Sequence, residues 1–305
     1  MASTKYGHFI KKLKFDKRES KGESVSKYSY LTWPKGSDME GINLNFAWGY
    51  FTGTGEWDVG VKGLHSHPAS EVLVFSGLDY NQTGELGAEI EIQMGHEGEK
   101  HVFDNPTIVT APAGFHHGAL VTKKITKPYG FLVINLDKKY NITRLPEKAQ
   151  KPSAAGEKYN NLVKKMEFRD LTKRPMGGNA DYMAAWNGKN MEGFKLNFTF
   201  AFHGDTGPWH GGKDPHVHPN DEALLFVGCD PNRPDYLGAE IQIEMGKERE
   251  IHVFDYPAVV VAPAGFVHCP LITRKVEKPY IFSAICLNTE HQTTWLGTGK
   301  FPWEN

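Results

Sequence analysis

The chain is written twice. KYGHFIKKLKF from Lys5 returns as KYNNLVKKMEF from Lys158, an offset of 153, and MEGINLNF from Met39 returns as MEGFKLNF from Met191, an offset of 152. From His65 to Asp137 the offset holds at 151 without a gap, and 40 of the 73 aligned positions are identical. Solenoid repeats run to roughly 20–50 residues. A copy of about 150 residues is instead long enough to enclose a core of its own. Two tandem domains are therefore expected, 1–150 and 151–305. The seam is the polar stretch from Asn141 to Asn161, rich in Lys, Pro and Ala, with the boundary near Gln150.

The elements inside each copy are short. EVLVFS from Glu71 and ALLFV from Ala223 are apolar runs closed by Gly77 and Gly228. AEIEIQM from Ala88 and AEIQIEM from Ala239 alternate apolar and polar with period two, as half-buried strands do. Further strand-like pieces are separated by Asn105-Pro106, Pro112-Ala113-Gly114 and Lys127-Pro128. Six or more short strands per copy predict an all-β sandwich or barrel. Single turns of helix are expected only over Asn160–Met166 and Ile10–Phe15.

The histidines follow the repeat. The first copy carries His65, His67, Glu71 and His117, the last just after Pro112-Ala113-Gly114. The second carries His216, His218, Glu222 and His268, each 151 residues further on. On a strand, positions i and i+2 share a face, so each His-x-His pair aims two imidazoles at one spot. The third histidine has to arrive from a neighbouring strand. Three imidazoles and a carboxylate suit a divalent transition metal: Mn or Fe foremost, with Zn, Ni or Co as alternatives. Four protein ligands around an octahedral ion leave two positions for chemistry. A closed structural zinc site would be tetrahedral and rich in Cys. The three cysteines here, Cys229, Cys269 and Cys286, all fall in the second copy and belong to neither set.

His-x-His-x3-Glu-x5-Gly followed by Pro-x-Gly-x2-His resembles the two sequence motifs of the cupin superfamily, and the duplication resembles a bicupin. The resemblance implies two tandem cupin barrels, of the double-stranded β-helix or jelly-roll kind, each with a metal bound inside. It covers nearly the whole chain. The sequence departs from the common pattern in having five rather than six residues before Gly77 and Gly228. It also lacks the Asn often found after the final His. DEALLFVGCDPNRPDYLGAEIQ and PAGFVHCPL are similar to uncharacterised cupins of anaerobic bacteria.

Residues kept in both copies around these sets include Asp79/Asp230, Asn81/Asn232, Glu89/Glu240 and His101/His252. Asp79 and Asn81 read as Asx-type turn bonding. Glu240, if turned inward, would be a general base, and His252 could orient a ligand or carry protons. The copies also differ: His203, His210 and Arg233 occur only in the second, His116 and Lys62 only in the first. Arg233 could hold a carboxylate or enolate oxygen. The second copy is therefore expected to be the working site, with Glu240, His252, His210 and Arg233 as its catalytic candidates.

A metal with two neighbouring positions chelates a substrate through two oxygens and acidifies bound water. The expected activity is metal-dependent cleavage of a C–C bond in a small oxygenated molecule without O2, for example hydrolytic opening of a cyclic diketone. A non-haem iron dioxygenase acting on a phenolic or diketone substrate is the alternative from the same fold. A non-catalytic metal-binding or small-molecule-binding cupin is the third. The partner is a small-molecule substrate. Lys and Arg (35) balance Asp and Glu (36), giving a net charge of −1, which disfavours nucleic acid and anionic lipid. With 39% hydrophobic residues, 12% aromatic, the chain is no disordered polymer. It carries no secretory h-region and no apolar run of about 20 residues, so no membrane association and a cytoplasmic location are expected. Barrel edges could pair between chains to form a homo-oligomer.

Overall fold

The structure, a computed structural model, describes residues 4–16, 28–57, 63–146, 154–173, 180–209 and 215–297. Among them there is no α-helix, only strands and short 3-10 turns. Among the described residues no helix is long and apolar enough to cross a membrane.

Each repeat builds most of two antiparallel sheets around one core, and the other repeat supplies one edge strand. In the first, one sheet runs Val163–Lys165, Thr107–Ala111, Glu71–Gly77, Tyr129–Asn135, Asn45–Phe51, Tyr28–Thr32. The other runs Thr143–Arg144, Leu64–Ser66, His117–Ile125, Ala88–Met94, Glu99–Phe103, with Gly55–Glu56 also on His117–Ile125. The second repeat matches it: Ile10–Lys12, Ala258–Ala262, Glu222–Gly228, Tyr280–Cys286, Asn197–His203, Tyr182–Trp186, Arg169–Asp170 form one sheet. Glu250–Phe254, Ala239–Met245, His268–Val276, His216–Val217, Thr294–Trp295 form the other, joined by Gly207–Pro208. These are two tandem cupin barrels.

Alternation places the core. Ala88, Ile90 and Ile92 turn inward with Phe75, Phe131 and Trp57, as do Ala239, Ile241 and Ile243 with Phe226, Phe282 and Trp209. The indole N–H groups need acceptors at that depth. Trp57 donates to Thr122 Oγ1 and Trp209 to Thr273 Oγ1, both at 2.9 Å, and each threonine meets a buried tyrosine, Tyr129 or Tyr280.

The compact units are drawn differently from the repeats. One comprises 1–14, 38–42 and 168–305, the other 15–37 and 43–167. The segment that opens each repeat thus belongs to the unit built by the other: Ile10 pairs with Val260, and Val163 with Val109. The repeat boundary near Gln150 lies outside the described residues. The helical turn expected over Asn160–Met166 is met only in its first three residues, and the one expected over Ile10–Phe15 is corrected. Gly7–Phe9 and Asn160–Leu162 form 3-10 turns, and Ile10–Lys12 and Val163–Lys165 continue as edge strands. The unpaired N–H and C=O groups of a waiting sheet edge outweigh local helical preference.

Candidate metal centres

Strand pairing assembles each set of histidines and glutamate. His117 opens a strand after the Pro-Ala-Gly turn, where Phe115 N donates to Pro112 O, and is the cross-strand partner of His65. His268 pairs with His216 in the same register. His67 and His218 follow two residues on, and Glu71 and Glu222 reach in from the facing sheet as the first residues of their strands. All eight side chains are buried. The atoms His65, His67, Glu71 and His117 offer lie within 4.8 Å of one another, as do those of His216, His218 and His268. Glu222 Oε2 stands 3.2 Å from His268 Nε2 and 3.4 Å from His218 Nε2.

The outer ring nitrogens decide what the inner ones present. His65 Nδ1 meets Gly63 O at 3.1 Å, His67 Nδ1 meets Asn141 O at 2.7 Å, and His117 Nδ1 meets Phe115 O at 3.1 Å. In the second barrel His218 Nδ1 meets Gln292 O at 2.7 Å and His268 Nδ1 meets Phe266 O at 3.1 Å. A carbonyl only accepts, so each Nδ1 is the donor and the neutral ring turns its Nε2 lone pair inward. There it faces a carboxylate: His117 Nε2 is 2.9 Å and His67 Nε2 3.3 Å from Glu71 Oε2. Lone pairs converging on lone pairs are held together by a cation, and the nitrogen–oxygen donor set fits a divalent transition metal.

Protons compete with an ion for these pairs, and Glu71 raises the His67 imidazole against its burial. Burial, with His117 beside it, holds His65 down at about 3, so its ring is neutral. Burial pushes the Glu71 carboxyl upward, but His117 and His67 outweigh it and hold the group well below the usual range. Glu222, equally buried, is held at about 2, chiefly by His268.

The two barrels part in the space beside these sets. The second opens on a cavity of about 400 Å³, lined by His216, His218, Glu222 and His268 together with Asp181, His203, Asp205, Leu224, Leu271 and Phe282. The first has about 50 Å³. At offsets of 152 and 151, Trp33, Val133 and Tyr140 of the first copy correspond to Ala185, Ala284 and His291 of the second. Trp33 and Tyr140 pack edge to face, 4.5 Å between centroids, where the second barrel keeps its space.

The other expected site residues lie elsewhere. Glu240 sits on the outward face of its alternating strand beside Arg274, Oε1 to Nε 3.2 Å. The His252 ring lies 2.8 Å from Glu250 Oε1, just as His101 lies 2.9 Å from Glu99. The Arg233 guanidinium stacks 3.7 Å above the Tyr236 ring. None of the three lines the cavity. His210 and Lys62 lie outside the described residues. Asp79 and Asp230 accept from Asn81 N and Asn232 N, the Asx bonding expected of a turn. His203 and His291 line the second cavity where the first copy has Phe51 and Tyr140, and Cys286, the cross-strand partner of the lining residue Glu222, stands where the first copy has Asn135.

Two jelly-roll barrels, each with three imidazoles and a carboxylate at its heart, make the fold a bicupin. Among its solved likenesses are oxalate decarboxylases. One of Bacillus subtilis, studied for its Mn(II) centres, is similar at a TM-score of 0.57 and 11% identity over 90% of this chain and 76% of that one. A mutant of the Bacillus subtilis enzyme gives 0.60 and 10% over 94% and 79%. A formate complex of the Lactobacillus farciminis enzyme gives 0.56 and 11% over 91% and 86%. No family model and no curated protein matches the chain.

Proposed function

We propose that the chain is a metal-dependent bicupin enzyme that cleaves a C–C bond in a small oxygenated molecule, with the second barrel as the working site. The observation that carries this reading is the three-histidine, one-glutamate set at the wall of the roomy cavity. His65, His67, Glu71 and His117 hold one ion, and His216, His218, Glu222 and His268 the other. A divalent ion there supplies Lewis acidity to a chelating oxygen pair and lowers the pKa of a bound water.

The cavity narrows the substrate. About 400 Å³ is room for a ring rather than a two-carbon acid. Its described lining contains no Lys or Arg but three carboxylates, Asp181, Asp205 and Glu222, which disfavours a dianion. A cyclic 1,3-diketone fits both conditions. Leu224, Leu271 and Phe282 flank the ring and exclude bulk water, while His203 carries a proton. In hydrolytic opening, water's oxygen bonds to one carbonyl carbon, the bond from that carbon to the methylene breaks, and the methylene carbon takes a proton. The product is a keto acid, with no oxidant consumed.

The test is turnover of cyclohexane-1,3-dione and related diketones by full-length chain loaded with Mn(II) or Fe(II) under argon. A product one water heavier supports the reading. Strict dependence on O2 replaces it with a dioxygenase. The oxalate decarboxylase neighbours motivate a second arm, in which small organic acids are supplied and release of CO2 is followed.

A further inference from the structure

In the second barrel Glu222 is engaged on both oxygens. Oε2 faces His218 and His268, while Oε1 lies 2.8 Å from Cys286 Sγ. That sulfur is 3.3 Å from His291 Nδ1. A carboxylate oxygen, a sulfur and an imidazole nitrogen therefore form a second donor group, all within 4.8 Å of one another. Strand register puts Cys286 directly across from Glu222, and the His291 ring packs against His218 with centroids 4.7 Å apart. The first barrel lacks this group. Asn135 Nδ2 donates to Glu71 Oε1 at 3.3 Å, and the hydroxyl of the partly buried Tyr140 also bonds Glu71.

We propose that Glu222 Oε1, Cys286 Sγ and His291 Nδ1 form an auxiliary metal site that takes a thiophilic divalent ion such as Zn(II), with Glu222 bridging it to the ion of the three histidines. The donor chemistry separates the two sites. Imidazole and carboxylate accept Mn or Fe, whereas a thiolate selects Zn or Co over Mn. Three protein ligands with space beside them are the makings of a tetrahedral ion that keeps one place for water. Binding is a proton exchange: the sulfur–metal bond forms, the thiol proton leaves to solvent, and nothing is oxidised. The site rests on the reading that His216, His218, Glu222 and His268 hold an ion, because Glu222 is shared.

Chelator-stripped, full-length chain is titrated with Zn(II), Mn(II) and Co(II), and ions per chain are counted by elemental analysis after gel filtration. Three Zn(II) per chain are expected against two Mn(II), with a thiolate-to-Co(II) charge-transfer band in the near ultraviolet rising with the third equivalent. Cys286→Asn and His291→Tyr install residues the first barrel already accommodates. Each is expected to lower Zn(II) to two per chain, and Cys286→Asn to abolish the band. The proposal is overturned if the parent chain holds two Zn(II) and shows no band. A band complete at two ions also overturns it, since Cys286 then joins the ion of the histidines, as does a third Zn(II) surviving in Cys286→Asn. Failure to bind even two ions refutes the underlying reading instead.

Discussion

His203 stands where the first copy has Phe51, and its surroundings are those of a core aromatic. Its ring stacks on Trp209 at 4.3 Å and Tyr280 at 5.1 Å, just as Phe51 stacks on Trp57 at 4.0 Å and Tyr129 at 5.3 Å. Packing alone would favour phenylalanine, so a titratable ring there points to chemistry. His203→Phe is expected to fold, keep its metal content and melt no lower, yet lose turnover by about 10²–10⁴-fold, the usual worth of a general acid or base. Unchanged turnover with intact metal would remove His203 from the reaction. The paired sites give a second expectation. Glu222→Gln or His268→Ala abolishes activity, while Glu71→Gln or His117→Ala leaves part of it; kinetics of the four variants, each with its metal content, check the order. At this scale the eight His and Glu positions were legible because identical spacing appears twice. His203 was noted only as a difference between the copies and not named among the catalytic candidates, and Cys286 and His291 were not weighed as site residues because neither belongs to a repeated spacing. The surroundings of Glu240 were not legible, because alternation tells which residues share a face but not what lies beyond it.

Strands with a full alternating run were readable end to end: Ala88–Met94 and Ala239–Met245 are bounded as their patterns suggest. Ile10–Lys12 and Val163–Lys165 were not, since three residues with two lysines carry no period and take their form from the edge they join. Matched anchors fix them. Lys5 Nζ lies 2.5 Å and Tyr6 OH 2.6 Å from Glu248, and Lys158 and Tyr159 meet Glu97 likewise. Gly246, at φ +74°, leaves room for Tyr6, whose ring is 2.1 Å from where a Cβ would sit. The hydrogen bonds from Lys5 and then Tyr6 pull Glu248 from 4.5 down to about 2. A lowered folded value stabilises docking above the unfolded pKa and is lost as pH falls through the folded one. Leu13 N donates to Pro257 O at 2.9 Å and reports on that docking. Its protection from hydrogen exchange, beyond the intrinsic pH dependence, should decline between pH 4.5 and 2. Glu248→Gln should flatten this decline. A decline of the same size in Glu248→Gln would assign it to another group.

For the whole molecule, the repeat foretold two similar barrels but not that their edge strands are exchanged, because self-comparison shows which segments are alike and not which ones pair. The exchange makes a contiguous half an incomplete barrel. A fragment of 151–305 lacks Ile10–Lys12, leaving the Ala258–Ala262 edge open, and it also loses Leu13, buried at 4% exposure, with the Phe9 and Tyr6 rings that pack on Phe266. A fragment of 1–150 lacks Val163–Lys165 together with Leu162 and Met166, 6% and 1% exposed. Each buried side chain of that size is worth about 1.5–3 kcal/mol, a large part of a domain's roughly 5–15 kcal/mol, and an open apolar edge invites aggregation. Produced separately, the halves are therefore expected to aggregate or to melt well below the full chain. Produced together, they should recombine as a one-to-one complex that regains the full chain's metal content, because each supplies the strand the other lacks. Size-exclusion with light scattering and circular dichroism on the three preparations decides. Two halves that are separately monomeric, folded and metal-loaded would mean that the exchanged strands are decoration, and that domains cut at Gln150 stand by themselves.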